Sequence, residues 1–142
     1  MSAGSSATPP VLPGLPGLLG ITILTESADL VDAALTVGPQ HLAATGYLHA
    51  GCVVALADTV CGYGCLAALP KGKAGFTTVQ LASNHLATAT IGQQLRAVAT
   101  PVHRGRTTQV WDAAVTIDTD GGDPGRTIAV FRCTQLLLDR PR

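Results

Sequence analysis

The sequence predicts an α+β domain in which about six antiparallel strands wrap around one long buried helix. Three observations carry that prediction. Residues Ala50 to Leu69 are apolar on nearly every side and end at Pro70-Lys71-Gly72, the pattern of a helix enclosed by protein rather than lying on a surface. The segments on either side of it are strand-like: a short β-branched run and an alternating one before it, and four segments of period two, rich in Thr, Val, Ala and Leu, after it. The separators between those last four are short and full of Gly, Asp and His, so neighbouring strands are expected to join as hairpins and the sheet to be antiparallel.

The composition can supply such a core. A chain of 142 residues suits one domain, and 46% hydrophobic against 13% charged residues rules out disorder of the whole chain. Nine basic residues balance nine acidic ones with no basic run, so neither a nucleic acid nor an anionic membrane is expected as a partner. So few charges leave little polar material to cover a monomer, which points to a homo-oligomer. The N-terminus has no basic stretch, and Pro13, Gly14, Pro16 and Gly17 interrupt its apolar residues. It reads as neither a signal peptide nor a membrane span, and the cytoplasm is the default location. Cys52, Cys61, Cys65 and Cys133 include no C-x-x-C pair and read as small buried hydrophobes in a reducing compartment.

In chain order, residues 1–17 are rich in Ser, Pro and Gly and form a flexible or surface-wrapping arm, with the folded domain spanning 18–142. Gly20 to Thr25 is the β-branched run. Leu30 to Val37 alternates, with Val31, Ala33, Leu35 and Val37 on one face and Asp32 and Thr36 on the other. These are two antiparallel strands with a turn near Ser27 to Asp29. Gly38 to Leu48 is a loop with room for one helical turn. After the helix come strands over Gly75 to Leu86, Gln93 to Val102, Arg106 to Ile117 and Arg126 to Leu138. Gly62 and Gly64 each cost about 1 kcal/mol relative to Ala inside a helix. They mark either a close approach or an irregular helix end. Trp111 lies on a strand face that could point either way.

One charge stands out. Asp58 is the single carboxylate of the apolar helix, with no Lys or Arg within twelve positions on either side. The helix opens with His49-Ala50-Gly51, carries Leu56-Ala57-Asp58-Thr59 further on, and is followed by Val79-Gln80-Leu81-Ala82-Ser83-Asn84-His85-Leu86 and by Gly105-Arg106-Thr107. With that layout the chain resembles the hotdog-fold acyl-CoA thioesterases, and within them the phenylacetic-acid-degradation branch of the 4-hydroxybenzoyl-CoA thioesterase group. The resemblance covers roughly residues 18 to 138.

It implies hydrolysis of an aryl, arylacetyl or short-to-medium acyl-CoA to the free acid and CoA, by a homodimer or homotetramer without a cofactor. Thioester hydrolysis needs charge stabilisation on the carbonyl oxygen and a base or nucleophile near the carbonyl carbon. Free N–H groups at the helix N-terminus supply the first, and the resemblance assigns the contact to the residue after the histidine, here Ala50. The small residues within Gly46 to Gly51, namely Gly46, Ala50 and Gly51, let substrate approach the backbone. Asp58 supplies the second function, either attacking the carbonyl to form a mixed anhydride or deprotonating a water. At about 1.5 Å rise per residue, Ala50 and Asp58 are about 12 Å apart along one helix. Each site is therefore expected to combine the helix N-terminus of one subunit with the carboxylate of the other, the arrangement the resemblance implies.

His49 can donate to the carbonyl or brace the loop. Gly51, Thr59 and Asn84 are candidate substrate contacts, and Arg104 and Arg106, flanking Gly105 at a turn, can meet the phosphates of CoA. Relatives often carry a hydroxyl one turn after the carboxylate and a Gln six residues before the histidine; here those positions are Gly62 and Ala43, with Thr59 and Tyr63 as possible substitutes. His41, His85 and His103 have no ligand spacing, and no metal is expected. No P-loop, G-x-G-x-x-G or G-x-S-x-G occurs. The alternatives are a non-catalytic acyl-CoA-binding domain, which the otherwise costly Asp58 argues against, and a hydratase or dehydratase of acyl thioesters.

Overall fold

The computed structural model describes residues 8–119 and 124–141. A short helix α1 (Leu15–Leu19) leads into strands β1 (Thr22–Glu26) and β2 (Val31–Thr36), a 3-10 turn (Pro39–His41) and the long helix α2 (Ala50–Ala67). Four strands follow: β3 (Lys73–His85), β4 (Gln94–Arg104), β5 (Thr108–Asp118) and β6 (Pro124–Asp139). They form one antiparallel sheet in the order β1-β2-β4-β5-β6-β3, and α2 lies across its inner face. This is the predicted fold class.

The alternation in β2 does what its pattern predicts. Val31, Ala33 and Leu35 are buried, Thr36 is exposed and Asp32 is half-buried, where it accepts from Nε–H and Nη2–H of the Arg96 guanidinium of β4. The Ser27 hydroxyl accepts from the N–H groups of Asp29 and Leu30 and closes the β1–β2 turn.

Two expectations fail. The separator between β3 and β4 is not a hairpin: β3 lies at the far edge beside β6, and β4 lies beside β2. Residues 86–93 cross from one to the other. They are held by Leu86 N–H on Ile128 O at 2.8 Å at one end and Gly92 N–H on Val37 O at 2.8 Å at the other. Three strand spacings are about 14 Å, and eight extended residues reach about 26 Å, so a separator that looks like a turn is long enough to cross the sheet. The second failure is local. Leu15–Leu19, overlapping the segment expected to lack regular structure, is helical. Pro16 occupies its first turn, where no N–H is needed, and Gly20 closes it at φ 79°. Leu12 and Leu19 pack against the core. The first seven residues of the expected arm lie outside the described residues.

The two helix glycines mark a close approach. A Cβ on Gly64 would lie 2.5 Å from Cζ3 of Trp111, and one on Gly62 would lie 3.0 Å from Cζ of Phe76. Trp111 therefore points inward, fully buried against α2. Its Nε1–H donates to Gln109 Oε1 at 2.7 Å, and Gln109 Nε2–H donates to Ala68 O at 3.1 Å. That chain of bonds ties the sheet to the last turn of the helix.

The sheet of one chain covers only one side of α2. Leu56, Val60, Cys61 and Cys65 are fully buried, whereas Val54, Ala55, Asp58, Thr59 and Tyr63 are half-buried and Leu66 is exposed. By length and hydropathy α2 could cross a membrane, yet half of it is inside this fold. β3 is a thirteen-residue edge strand whose outer backbone groups have no strand beside them among the described residues, and it exposes Val79 and Leu81. A long edge of this kind is a template for pairing with another chain.

Candidate active site

The loop before α2 is built to present its first turn. His41 is buried, with Nδ1 accepting from Gly38 N–H at 2.9 Å and Nε2 bonded to Leu19 O at 2.7 Å. His49 N–H then donates to His41 O at 2.9 Å. The chain enters the helix with His49 extended (φ −69°, ψ 129°), and its Nδ1 accepts from Gly51 N–H at 2.8 Å. His49 is thus an N-cap, satisfying one of the free donors of the first turn. Because Nδ1 accepts, the neutral ring carries its proton on Nε2, facing outward as a donor. Cys52 and Val53 N–H both turn to His49 O, at 3.0 and 3.4 Å. Ala50 N–H is left without an acceptor among the described residues.

Gly51 therefore has a different role from the one its position suggests. Its N–H is committed to the cap, and a Cβ there would lie 2.9 Å from His49 Nδ1. A side chain there would press on the imidazole where it folds back over the helix end.

Asp58 lies eight residues on, at the flank of α2 that faces β3. Its Oδ1 is buried and has no hydrogen-bond partner among the described residues. Burial pushes its carboxyl above the ordinary aspartate range, and a hydrogen bond from the Thr78 hydroxyl opposes that shift. Thr78, on β3, was not legible in the sequence: its period-two pattern places it on one face, but only the β3–β6 register and the seating of α2 bring it to Asp58. Thr59 is next to Asp58 in sequence, but its hydroxyl donates to Ala55 O at 2.6 Å, a bond within its own helix that occupies its proton.

The remaining candidates do not converge on Asp58. Asn84 pairs in register with the exposed Val130 of β6, which places it on the sheet face opposite α2. There it lines an open groove of about 540 Å³ with Ala82, Thr100, Asp112 and Arg132. Arg104 Nη1 donates to Ala28 O and Asp29 Oδ1, both at 2.9 Å, and so braces the β1–β2 turn. Arg106, two residues on, is exposed and has no ion pair among the described residues. The four thiols are free and buried. Burial pushes Cys65 up to about 12, and a hydrogen bond with Cys133 together with burial raises Cys61 further, so Cys61 and Cys65 are protonated and chemically quiet.

A polarising N–H at a helix end and a partly dry carboxylate are the two elements of acyl transfer to water. In one chain they are separated by eight helical residues, about 12 Å.

Comparison with known proteins agrees with this chemistry. The Thioesterase superfamily profile matches residues 45–122. The chain is 30% identical over 122 residues to the Bacillus subtilis protein named "Putative esterase ComA2", covering 86% of this chain and 92% of that one. It is 29% identical over 121 residues to a 1,4-dihydroxy-2-naphthoyl-CoA hydrolase of Listeria monocytogenes, covering 85% and 93%. Among solved structures, the PaaI protein of the Escherichia coli phenylacetic acid degradation operon superposes with a TM-score of 0.74 at 25% identity, covering 87% of this chain and 83% of that one.

Proposed function

The chain belongs to the thioesterase superfamily and is a thioester hydrolase, and from that premise we propose that it cleaves aryl- or arylacetyl-CoA thioesters at sites shared between two subunits. The observation that carries the shared site is the position of Asp58. Asp58 is half-buried, with Oδ1 buried and unpartnered among the described residues, on the flank of α2 next to the unpaired β3 edge of the sheet. The Ala50 N–H of the same helix, without an acceptor among the described residues, is about 12 Å away. A second copy paired along the β3 edge brings an antiparallel α2 beside the first. The Ala50 N–H of one subunit then faces the Asp58 carboxylate of the other, and Val54, Ala55, Tyr63, Val79 and Leu81 are covered in the process.

In this site Ala50 N–H holds the thioester oxygen and stabilises the charge that develops on it. His49 caps the helix through Nδ1 and offers Nε2–H toward the same oxygen. Asp58 acts as base toward a water or attacks the carbonyl itself, with Thr78 holding the carboxylate. Arg106, which has no ion pair among the described residues, is available for the CoA phosphates, while Arg104 stays with Asp29. Asn84 faces away from this site and has no part in it. The aryl preference is supported by two relatives, the naphthoyl-CoA hydrolase and the protein of the phenylacetic acid operon.

The test combines two inactive variants. Ala50→Pro removes the polarising N–H, and Asp58→Asn removes the base. In a shared site, a mixed dimer of the two contains one intact site, so co-expression should restore release of free CoA from phenylacetyl- or naphthoyl-CoA. Sites contained within one subunit would leave every mixed dimer inactive, and that result refutes the sharing. Turnover of aliphatic acyl-CoAs alone would refute the aryl preference.

A further inference from the structure

Gln135 on β6 is fully buried, and neither its amide nitrogen nor its amide oxygen has a hydrogen-bond partner among the described residues. Its neighbours on the helix-facing side of β6, Cys133 and Leu137, are buried hydrophobes, so an apolar side chain would be the undemanding occupant of this position. The glutamine opposite it on β5 is in a different condition. Gln109 both accepts from Trp111 and donates to Ala68, and so braces the helix. Gln135 braces nothing. On its other side it stands opposite Thr78 of β3, whose hydroxyl is the group that opposes the upward push of burial on the Asp58 carboxyl.

A hydroxyl has one proton and two lone pairs. With that proton on the carboxylate, Thr78 Oγ1 is left as an acceptor. Directly opposite residues on one sheet face have Cβ atoms about 5 Å apart, within reach of a glutamine amide. The terminal torsion of a glutamine is broad, and hydrogen bonds around a reacting group often tighten only when substrate binds. We propose that Gln135 is a positioning residue whose amide N–H donates to Thr78 Oγ1, keeping the Thr78 proton on Asp58 and the carboxylate turned for attack. This rests on the reading of Asp58 as base or nucleophile. The pair supplies from the sheet the hydroxyl and the glutamine that this chain lacks at Gly62 and Ala43.

The ionisable group that interacts with Asp58 is the thiol of Cys61 on its own helix, which is itself hydrogen-bonded to Cys133 of β6. Burial and Thr78 are the influences on the carboxylate itself. The experiment is a double-mutant cycle of Gln135→Leu and Thr78→Val in the full chain, with Asp58→Asn in parallel. It is read by kcat and KM for arylacetyl-CoA and by 13C NMR titration of the Asp58 carboxyl. Gln135→Leu should lower kcat on the order of tenfold with KM little changed, and should move the Asp58 midpoint upward. The double variant should be no slower than Thr78→Val alone, because Gln135 acts through that hydroxyl. Additive losses, or an unmoved kcat and midpoint in Gln135→Leu, overturn the proposal; should that variant fail to fold, Gln135→Met carries the same test. Activity surviving in Asp58→Asn would overturn the reading of Asp58 instead, and the carboxyl titration would still decide whether Gln135 reaches it.

Discussion

Replacing Asp58 with asparagine should make the protein more stable at neutral pH and inactive as a hydrolase. The carboxyl is raised above the ordinary value of 3.8 by burial, so the folded chain binds its proton more readily than the unfolded chain does. Its favourable contribution is therefore present in acid and is lost as pH rises through the folded value. Above that value an ionised carboxylate remains in place with Oδ1 unpartnered among the described residues. An unsatisfied buried group costs about 1–3 kcal/mol, and the half-buried position of Asp58 argues for the lower end. Asparagine has the same shape and no charge. It forfeits part of the Thr78 bond, which is stronger to a charged acceptor, and leaves a net gain of about 0.5–1 kcal/mol. For a domain of this size that is about 2–3 °C in Tm. Thermal unfolding near pH 8 and near pH 4, at one protein concentration because assembly contributes to stability, should show the gain at the higher pH and little at the lower. A variant that is less stable near pH 8, or gains equally at both, would refute the account of a strained carboxylate. Retained thiol release would refute its chemical role.

Three further outcomes are expected. Ala50→Pro should reduce kcat about a hundredfold, the effect of one lost oxyanion donor, without loss of helical circular dichroism, since proline suits the first helical position and His49 already has the extended geometry that precedes a proline. Arg106→Ala should raise KM for acyl-CoA about fivefold and leave KM for an N-acetylcysteamine thioester, which lacks the nucleotide, unchanged. Gly64→Ala should lower stability by about 2 kcal/mol despite better helix propensity, because its methyl would lie 2.5 Å from a fully buried Trp111; an unchanged or raised melting temperature would contradict that packing.

What the sequence made legible follows from what periodicity can carry. The helix was expected over Ala50 to Leu69 and runs over Ala50–Ala67, because an apolar run bounded by Pro and Gly signals both its length and its end. The inward set of β2 was equally plain. Strand neighbours were not, since period two records alternation and says nothing about which strand lies alongside; hence the crossing over residues 86–93 read as a turn. The direction of Trp111 had a signal, because Ala113 and Val115 share its face and are buried while Asp112 and Thr116 alternate with them. Asp58 was visible as a lone charge in an apolar helix. Thr78 and Gln135 were hidden because each acquires its neighbour only through the β3–β6 register, a long-range fact. Asn84 sits in the expected strand, yet the same register turns it to the outer face.

That register also explains why two helix glycines belong to the site although neither can touch a substrate. Each weakens α2 by about 1 kcal/mol, and each lets a ring approach closely: at Gly64 a methyl would not fit beside Trp111 of β5, and at Gly62 the Phe76 ring of β3 would have to give by a few tenths of an ångström. Two contacts on different strands fix both the height of the helix over the sheet and its rotation about its axis. Gln109 adds a third constraint by joining Trp111 to Ala68 O at the helix end. Asp58 is one turn before Gly62, so the same rotation that seats Gly62 on Phe76 carries the carboxylate to Thr78, two residues along β3. A helix with larger residues at 62 and 64 would have to rise or turn, and its carboxylate would leave Thr78 before any catalytic atom had been changed.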